Sequence, residues 1–267
     1  MTQFNQSTLD VRLAKTEEDV RAAQRLRYQV FFEGMGAVPD KDVADAKRDF
    51  DRFDDYCDHL LVIDVEKEKA GLDFVVGTYR LLRRSVAMLH EGFYSADEFD
   101  LSHLQNFPGE IVELGRSCVD PNYRGKAVMQ LLWRGIADYI TQNNISLMFG
   151  CASFPGTDTK AMASALSYLS HHHSAPSEWS PKALDHRYVD MKLLKKKQID
   201  SRQALREMPP LIKGYLRVGG VIGQGAVIDH QFNTTDVCLL VETGNVTGRY
   251  QRHYLQDSAD IENQANT

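Results

Sequence analysis

The sequence has no stretch approaching 18 consecutive apolar residues, and no apolar segment of a secretory leader near its start, where Asp10, Glu17, Glu18 and Asp19 fall within the first twenty positions. The first absence argues against a membrane-spanning helix and the second against export, so a cytoplasmic protein is predicted. The four cysteines, Cys57, Cys118, Cys151 and Cys238, are widely spaced with no C-x-x-C pair. Neither a disulfide framework nor a zinc knuckle is suggested. Basic excess is lacking too: 31 Lys and Arg stand against 37 Asp and Glu, a net charge of -6, which disfavours a general nucleic-acid binder. What remains is a globular composition, 43% hydrophobic and 25% charged over 267 residues, enough to bury a substantial core. The charge is uneven. Residues 182–217 carry ten basic and four acidic residues, +6 net, leaving -12 for the rest, so one local basic face is expected.

Hydrophobic periodicity gives the elements. Thr16 begins a helix with a T-x-x-D variant of the capping box, and the helix is expected to reach about Gly34. Val20, Ala23, Val30 and Phe31 share its apolar face, with Arg27 in the middle of the stripe. A guanidinium there needs a partner, either in a structural ion pair or in a bound substrate. Val38 to Phe53 reads as an acidic, irregular loop ending in Asp51-Arg52-Phe53-Asp54-Asp55. His59–Val65 and Phe74–Leu82 form a β-hairpin, on whose second strand Arg80 shares a face with Val76, Thr78 and Leu82. Ile111–Val119 is a strand, Ala127–Tyr139 a helix and Ile145–Gly150 a strand, together a parallel crossover unit. A helix over Lys160–Ser170 follows, and Gly214–Val241 reads as further strands. No linker separates domains: one domain is expected over residues 12–242, with terminal extensions at 1–11 and 243–267.

The informative stretch is Glu113-Leu114-Gly115-Arg116-Ser117-Cys118-Val119-Asp120-Pro121-Asn122-Tyr123-Arg124-Gly125-Lys126. A strand bearing two opposite charges runs into a basic glycine turn at a helix N-terminus, where backbone N–H groups and the dipole favour a phosphate. Glu113 and Arg116 would face opposite sides of a regular strand. A bulge at Gly115 would bring them together.

This arrangement resembles the acyl-donor site of the GCN5-related N-acetyltransferase superfamily. The superfamily's Q/R-x-x-G-x-G/A pattern aligns with Arg124 to Met129, and Met129 hinders close backbone approach to a CoA pyrophosphate, which favours phosphopantetheine carried on an acyl carrier protein. Leu26-Arg27-Tyr28-Gln29-Val30-Phe31, Asp51-x-x-Asp54, Gly77 to Leu81 and Glu113-Leu114-Gly115-Arg116 resemble, in order, the signature of acyl-homoserine lactone synthases. Phe149 to Asp158, Pro209 to Gly220 and Asp229-x-x-Phe232-x-x-x-Asp236 are similar to the ornithine N-acyltransferases that make lyso-ornithine lipid, a resemblance covering roughly residues 12 to 242.

The resemblance implies an α/β (α+β) GNAT-type acyltransferase domain with a mixed, mostly antiparallel sheet flanked by helices. It implies transfer of a 3-hydroxyacyl group from acyl carrier protein to the α-amine of L-ornithine, the first step of ornithine lipid synthesis, with no cofactor beyond the donor's phosphopantetheine. The residue types suit that chemistry. Arg27, Arg80 and Arg116 can fork a carboxylate while Asp51 and Asp54 hold ammonium groups, with Phe31 beside them in the substrate site. Glu113 is the expected general base, and backbone N–H groups of the bulged strand polarise the thioester. Arg124, Gly125 and Lys126 are expected to hold the donor's phosphopantetheine. Cys118 and Cys151 read as buried thiols rather than nucleophiles, and consecutive His171, His172 and His173 cannot all face one ion, so no metal is expected. The basic run, Lys192, Lys195, Lys196, Lys197, Arg202 and Arg206, suits an acidic carrier protein, an anionic membrane surface or plain solvation. Three alternatives stay open: a homoserine lactone synthase or another amino-acid N-acyltransferase, a glycerolipid O-acyltransferase, for which no H-x-x-x-x-D motif is present, and a non-enzymatic module that binds acyl carrier protein.

Overall fold

The computed structural model describes residues 8–244. In chain order its strands are β1 (Leu9–Leu13), β2 (Asp58–Asp64), β3 (Val75–Arg83), β4 (Phe99–Asp100), β5 (Glu110–Val119), β6 (Ile145–Pro155), β7 (Lys182–Ala183), β8 (Val221–Asp229) and β9 (Thr234–Glu242). The described residues group into two compact units, one of residues 8–94, 112–144 and 231–233, the other of residues 95–111, 145–230 and 234–244.

In the first unit β1, β2, β3 and β5 are successive antiparallel neighbours. The hairpin β2–β3 forms as the alternation predicts, but its turn is a short helix, Val65–Lys69, capped by the Asp64 carboxylate and closed by Gly71 at φ +68°, a left-handed value that favours glycine. Both strands are buried along nearly their whole length, so helices must cover both faces. Leu61 and Ile63 pack with Ala22, Ala23 and Leu26 of the helix Glu17–Tyr28. Leu60 and Val62, on the other face, meet the helix Lys126–Gln142 at two glycines. A Cβ on Gly135 would fall 2.7 Å from Leu60, and one on Gly77 2.7 Å from Val128, so the helix sits on the sheet at backbone distance. That close contact fixes where its N-terminus lies.

The first helix carries the capping box that the sequence shows: Thr16 accepts from the Asp19 N–H, and the Asp19 carboxylate accepts from Thr16 N–H. It is α-helical to Tyr28 and then widens into a π-type segment, Gln29–Gly34. Several short elements escaped the sequence reading, among them two in this unit. β1 lies within and just beyond the tail assigned to residues 1–11, and a helix, Lys41–Ala46, capped by Asp40, interrupts the acidic loop.

In the second unit β9 pairs antiparallel with both β6 and β8, β7 pairs parallel with β8, and β4 antiparallel with β7. The sheet pairing is therefore mixed and mostly antiparallel, as expected. Helix Pro210–Arg217 stands where strands were expected from Gly214 onward. Pro210 at its first turn and Ile212 and Tyr215 buried three apart outweigh the neighbouring glycines. Most of the two terminal extensions, residues 1–7 and 245–267, lies outside the described residues.

Candidate active site

The first unit gathers three arginines and three aspartates into one network. Arg27 is fully buried in the apolar stripe of its helix. Its Nε donates to Asp49 Oδ2 at 2.8 Å and its Nη2 to both oxygens of Asp54 at 2.7 and 2.9 Å. Arg80, from β3, donates to Asp51 Oδ1 at 2.6 Å and stands 3.5 Å from Asp54 Oδ2. Arg116, from β5, lies 3.2 Å from Asp49 and 3.3 Å from Asp51. Three positive and three negative charges interleave, the condition under which burying them is tolerable.

Exposure separates their roles. The side chains of Arg27 and Asp54 are 1% and 3% accessible, whereas those of Arg116 and Asp51 are 13% and 23%. Arg27 and Asp54 hold one another and are sealed from solvent, so they position the loop 49–54. Arg116 and Asp51 stand at the accessible edge. This answers the question posed by Arg27 in an apolar stripe: its partners are Asp49 and Asp54, in a structural ion pair. Burial tends to raise the Asp54 carboxyl, but Arg27 and Arg80 outweigh it and hold the group below the usual carboxylate range. His59, whose Nε2 meets the Asp54 carbonyl at 3.0 Å, is pushed below its ordinary value by burial and is neutral at neutral pH.

The anticipated bulge is present, one residue later than placed from sequence. Arg80 faces Gly115 and Thr78 faces Cys118, so β5 has one residue more than β3 across this interval. Arg116 takes up the distortion with φ +49°, a left-handed conformation costly for a side chain of this kind and found where function over-determines the backbone. The consequence is visible at Tyr94. Its N–H donates to Glu113 Oε2 at 2.8 Å, while its ring lies 4.8 Å from the Arg116 guanidinium carbon. Glu113 and Arg116 therefore share a side. Phe232 lies 4.6 Å from the same guanidinium carbon, and Phe31 meets Phe232 edge-on at 5.8 Å, which places Phe31 one ring away from Arg116 rather than against it.

After β5, Asp120 accepts from Asn122 N–H and shapes the turn Pro121–Tyr123, and the Tyr123 hydroxyl donates to Asp64 at 2.7 Å. Arg124 and Gly125 are exposed. Helix Lys126–Gln142 starts with no side-chain cap, and a Cβ on Gly125 would meet nothing within 4 Å. The opening at this helix N-terminus suits an anion. Cys118 has no part in it: burial pushes its thiol up to about 12, the opposite of an activated nucleophile.

Sequence reasoning missed Asp49, Tyr94 and the ring contacts of Phe232. Asp49 had a signal, since Asp49-x-Asp51-x-x-Asp54 offers three carboxylates beside a chain in which Arg27 and Arg80 are stranded in apolar faces. Tyr94 had none, because its role is set by the fold of residues 84–94 over β5.

Residues 26–134 match the family described as an acetyltransferase (GNAT) domain. The chain has the fold of the N-acyl amino acid synthase FeeM from uncultured soil microbes, with a TM-score of 0.52 at 9% identity over 90% of this chain and 94% of that one. Fold and matched domain define the class: the protein is an acyltransferase of the GNAT type. Over 92% of its length it is 48% identical to the L-ornithine N(alpha)-acyltransferase of Agrobacterium fabrum, covering 85% of that protein, and 47% identical to that of Brucella abortus, covering 89%. The chain belongs to the L-ornithine N(alpha)-acyltransferase family.

Proposed function

We propose that the protein transfers a 3-hydroxyacyl group from the phosphopantetheine of an acyl carrier protein to the α-amine of L-ornithine, giving a lyso-ornithine lipid. The observation that carries this reading is the bulge, which sets a buried carboxylate, Glu113, and the guanidinium of Arg116, whose side chain is 13% accessible, on one side of β5 in the same unit as an open helix N-terminus.

The chemistry follows from those groups. An α-ammonium must lose a proton before its nitrogen can attack, and in this reading Glu113 accepts it, directly or through a water. The nitrogen lone pair then adds to the thioester carbonyl. Backbone N–H groups at the distorted Arg116–Ser117 segment stabilise the oxyanion, and the C–S bond breaks to release the carrier's thiol. Arg116 forks the amino-acid carboxylate, with the network behind it holding its guanidinium in place. Arg124 and the first turn of helix Lys126–Gln142 take the donor's phosphate. The basic residues Lys192, Lys195, Lys196, Lys197, Arg202 and Arg206 are exposed and suit the acidic surface of a carrier protein or an anionic membrane. Among the described residues no helix is long and apolar enough to cross a membrane.

The test is a mass-spectrometric assay with 3-hydroxyacyl carrier protein and an equimolar mixture of amino acids. N-acylornithine formed from the carrier-protein thioester, but not from the matching acyl-CoA, supports the acceptor and the donor together. Product from acyl-CoA at an equal rate overturns the donor, and acylation of a different amino acid overturns the acceptor.

A further inference from the structure

The second unit carries a cationic surface to which the acylation chemistry assigns no single partner. Residues 192–206 hold six basic side chains, Lys192, Lys195, Lys196, Lys197, Arg202 and Arg206, against one acidic residue, Asp200. All six are exposed, and among the described residues none is in an ion pair. Arg12, Arg25 and Arg187, by contrast, each face a carboxylate. The acidic groups nearest in sequence are turned to other donors. Asp200 accepts from the N–H groups of Arg202 and Gln203 at 2.8 and 3.3 Å, Asp190 from that of Lys192 at 2.8 Å, and Glu207 from the Gln203 side chain at 2.7 Å.

The backbone under these cations is fastened down. On the helix Ala163–His172, Ser167 donates to the Met191 carbonyl at 3.1 Å and accepts from the Leu194 N–H at 2.9 Å, and His171 Nε2 meets the Leu194 carbonyl at 3.1 Å. Met191, Ala204 and Met208 are buried. In the helix Ser201–Glu207, Ala204 faces inward, so at 100° per residue Arg202, Leu205 and Arg206 project together from the opposite side. Two leucines stand among the cations, Leu193 at 40% and Leu205 at 39% exposed. Cations with apolar side chains between them match an anionic bilayer, whose phosphates meet the charged groups while the leucines enter the headgroup boundary. A protein partner fits less well, because lysine is depleted at protein interfaces. We propose that residues 192–206 bind the surface of an anionic lipid bilayer through these six cations, with Leu193 and Leu205 in contact with the lipid.

The test is co-sedimentation of the full chain with vesicles of equal parts phosphatidylglycerol and phosphatidylcholine, and with vesicles of phosphatidylcholine alone, at low and high salt. Wild type is expected to bind the anionic vesicles at least about tenfold more tightly than the neutral ones, with the preference shrinking as salt rises. Each cation near the surface is worth about fivefold. Arg202→Gln with Arg206→Gln should therefore weaken binding at low salt by about 30-fold, and Lys195→Gln, Lys196→Gln and Lys197→Gln together by about 100-fold. Leu193→Ser with Leu205→Ser should weaken it by about threefold or more at either salt concentration. All these positions are exposed, and an unchanged Tm identifies the folded variants; the arginine pair and the lysine triple each test the cationic contact alone. Equal binding of wild type to both vesicles, or wild-type binding by a folded charge variant, overturns the proposal. Unchanged binding by the folded leucine variant overturns the lipid contact of the two leucines. A raised KM for acyl carrier protein in the charge variants, with vesicle binding intact, would overturn it in favour of a carrier-protein dock. Vesicle binding needs no turnover, so its outcome is separate from that of the acylation assay.

Discussion

Asp54→Asn removes one charge from the sealed half of the arginine–aspartate network while keeping the side chain's shape. The carboxylate accepts two bonds from Arg27 Nη2 and one from the Asp51 N–H at 2.9 Å, and it faces Arg80 at 3.5 Å. An amide in its place keeps one acceptor and turns an NH2 group towards guanidinium donors. Breaking a buried ion pair from one side typically costs about 3–5 kcal/mol. For a chain of this size that is a fall in Tm of roughly 6–20 °C, at about 2–4 °C per kcal/mol. Asp51→Asn touches the accessible half, where the side chain is 23% exposed and water replaces what is lost, so about 1–2 kcal/mol is expected. The two variants should order oppositely in activity. Asp51→Asn, once folded, should lower kcat/KM more than Asp54→Asn assayed below its Tm, because Asp51 sits beside Arg116. Scanning calorimetry and denaturant midpoints at unchanged slope measure the stability difference. A cost below about 1 kcal/mol for Asp54→Asn, or an equal cost for both variants, would refute the division into a sealed, positioning half and an accessible half.

Further outcomes are expected. Because burial holds His59 below its ordinary value near 6.5, its share of stability is present above that value and is lost as pH falls from about 6.5 through the folded-state value; Asp54, held low by Arg27 and Arg80, adds a second loss below the ordinary carboxylate value of 3.8. Urea midpoints should therefore decline in two stages on acidification, and His59→Asn should shrink the first. Gly77→Ala places a Cβ 2.7 Å from Val128 and should cost about 1–3 kcal/mol by overpacking, while Gly125→Ala, which meets nothing, should leave Tm unchanged and raise the KM for the acyl donor. Arg124→Ala should raise that KM by about tenfold at low salt, with a smaller difference at high salt, as steady-state kinetics at two ionic strengths would show.

The parts of the site that were legible in the sequence are those where a charge breaks a pattern. Arg27 in a helical stripe and Arg80 on a strand face both announce partners, and the chemistry of Glu113 with Arg116 requires the bulge. The register of that bulge was legible only to within one residue, because the distortion is settled by pairing with β3 and not by Gly115's own freedom. Asp49 was hidden for the opposite reason: it sits among many acidic residues, and only the fold shows that two arginines meet it. The helix at Pro210–Arg217 was obscured by Gly214, Gly219 and Gly220, which read as breakers although tertiary burial of Ile212 and Tyr215 decides the conformation. β1 is five residues long and gains its stability from β2, so it carries little signal of its own.

The central claim is that Glu113 deprotonates an α-amine for attack on a thioester. The direct measurement is tandem mass spectrometry of the product formed from [α-15N]ornithine and 3-hydroxyacyl carrier protein by wild type and by Glu113→Gln. The account predicts the acyl group on the labelled nitrogen, and in the folded variant a fall in kcat of about 100- to 10,000-fold with donor binding retained. Acylation of the unlabelled δ-nitrogen, or near-normal turnover by the folded variant, would contradict it.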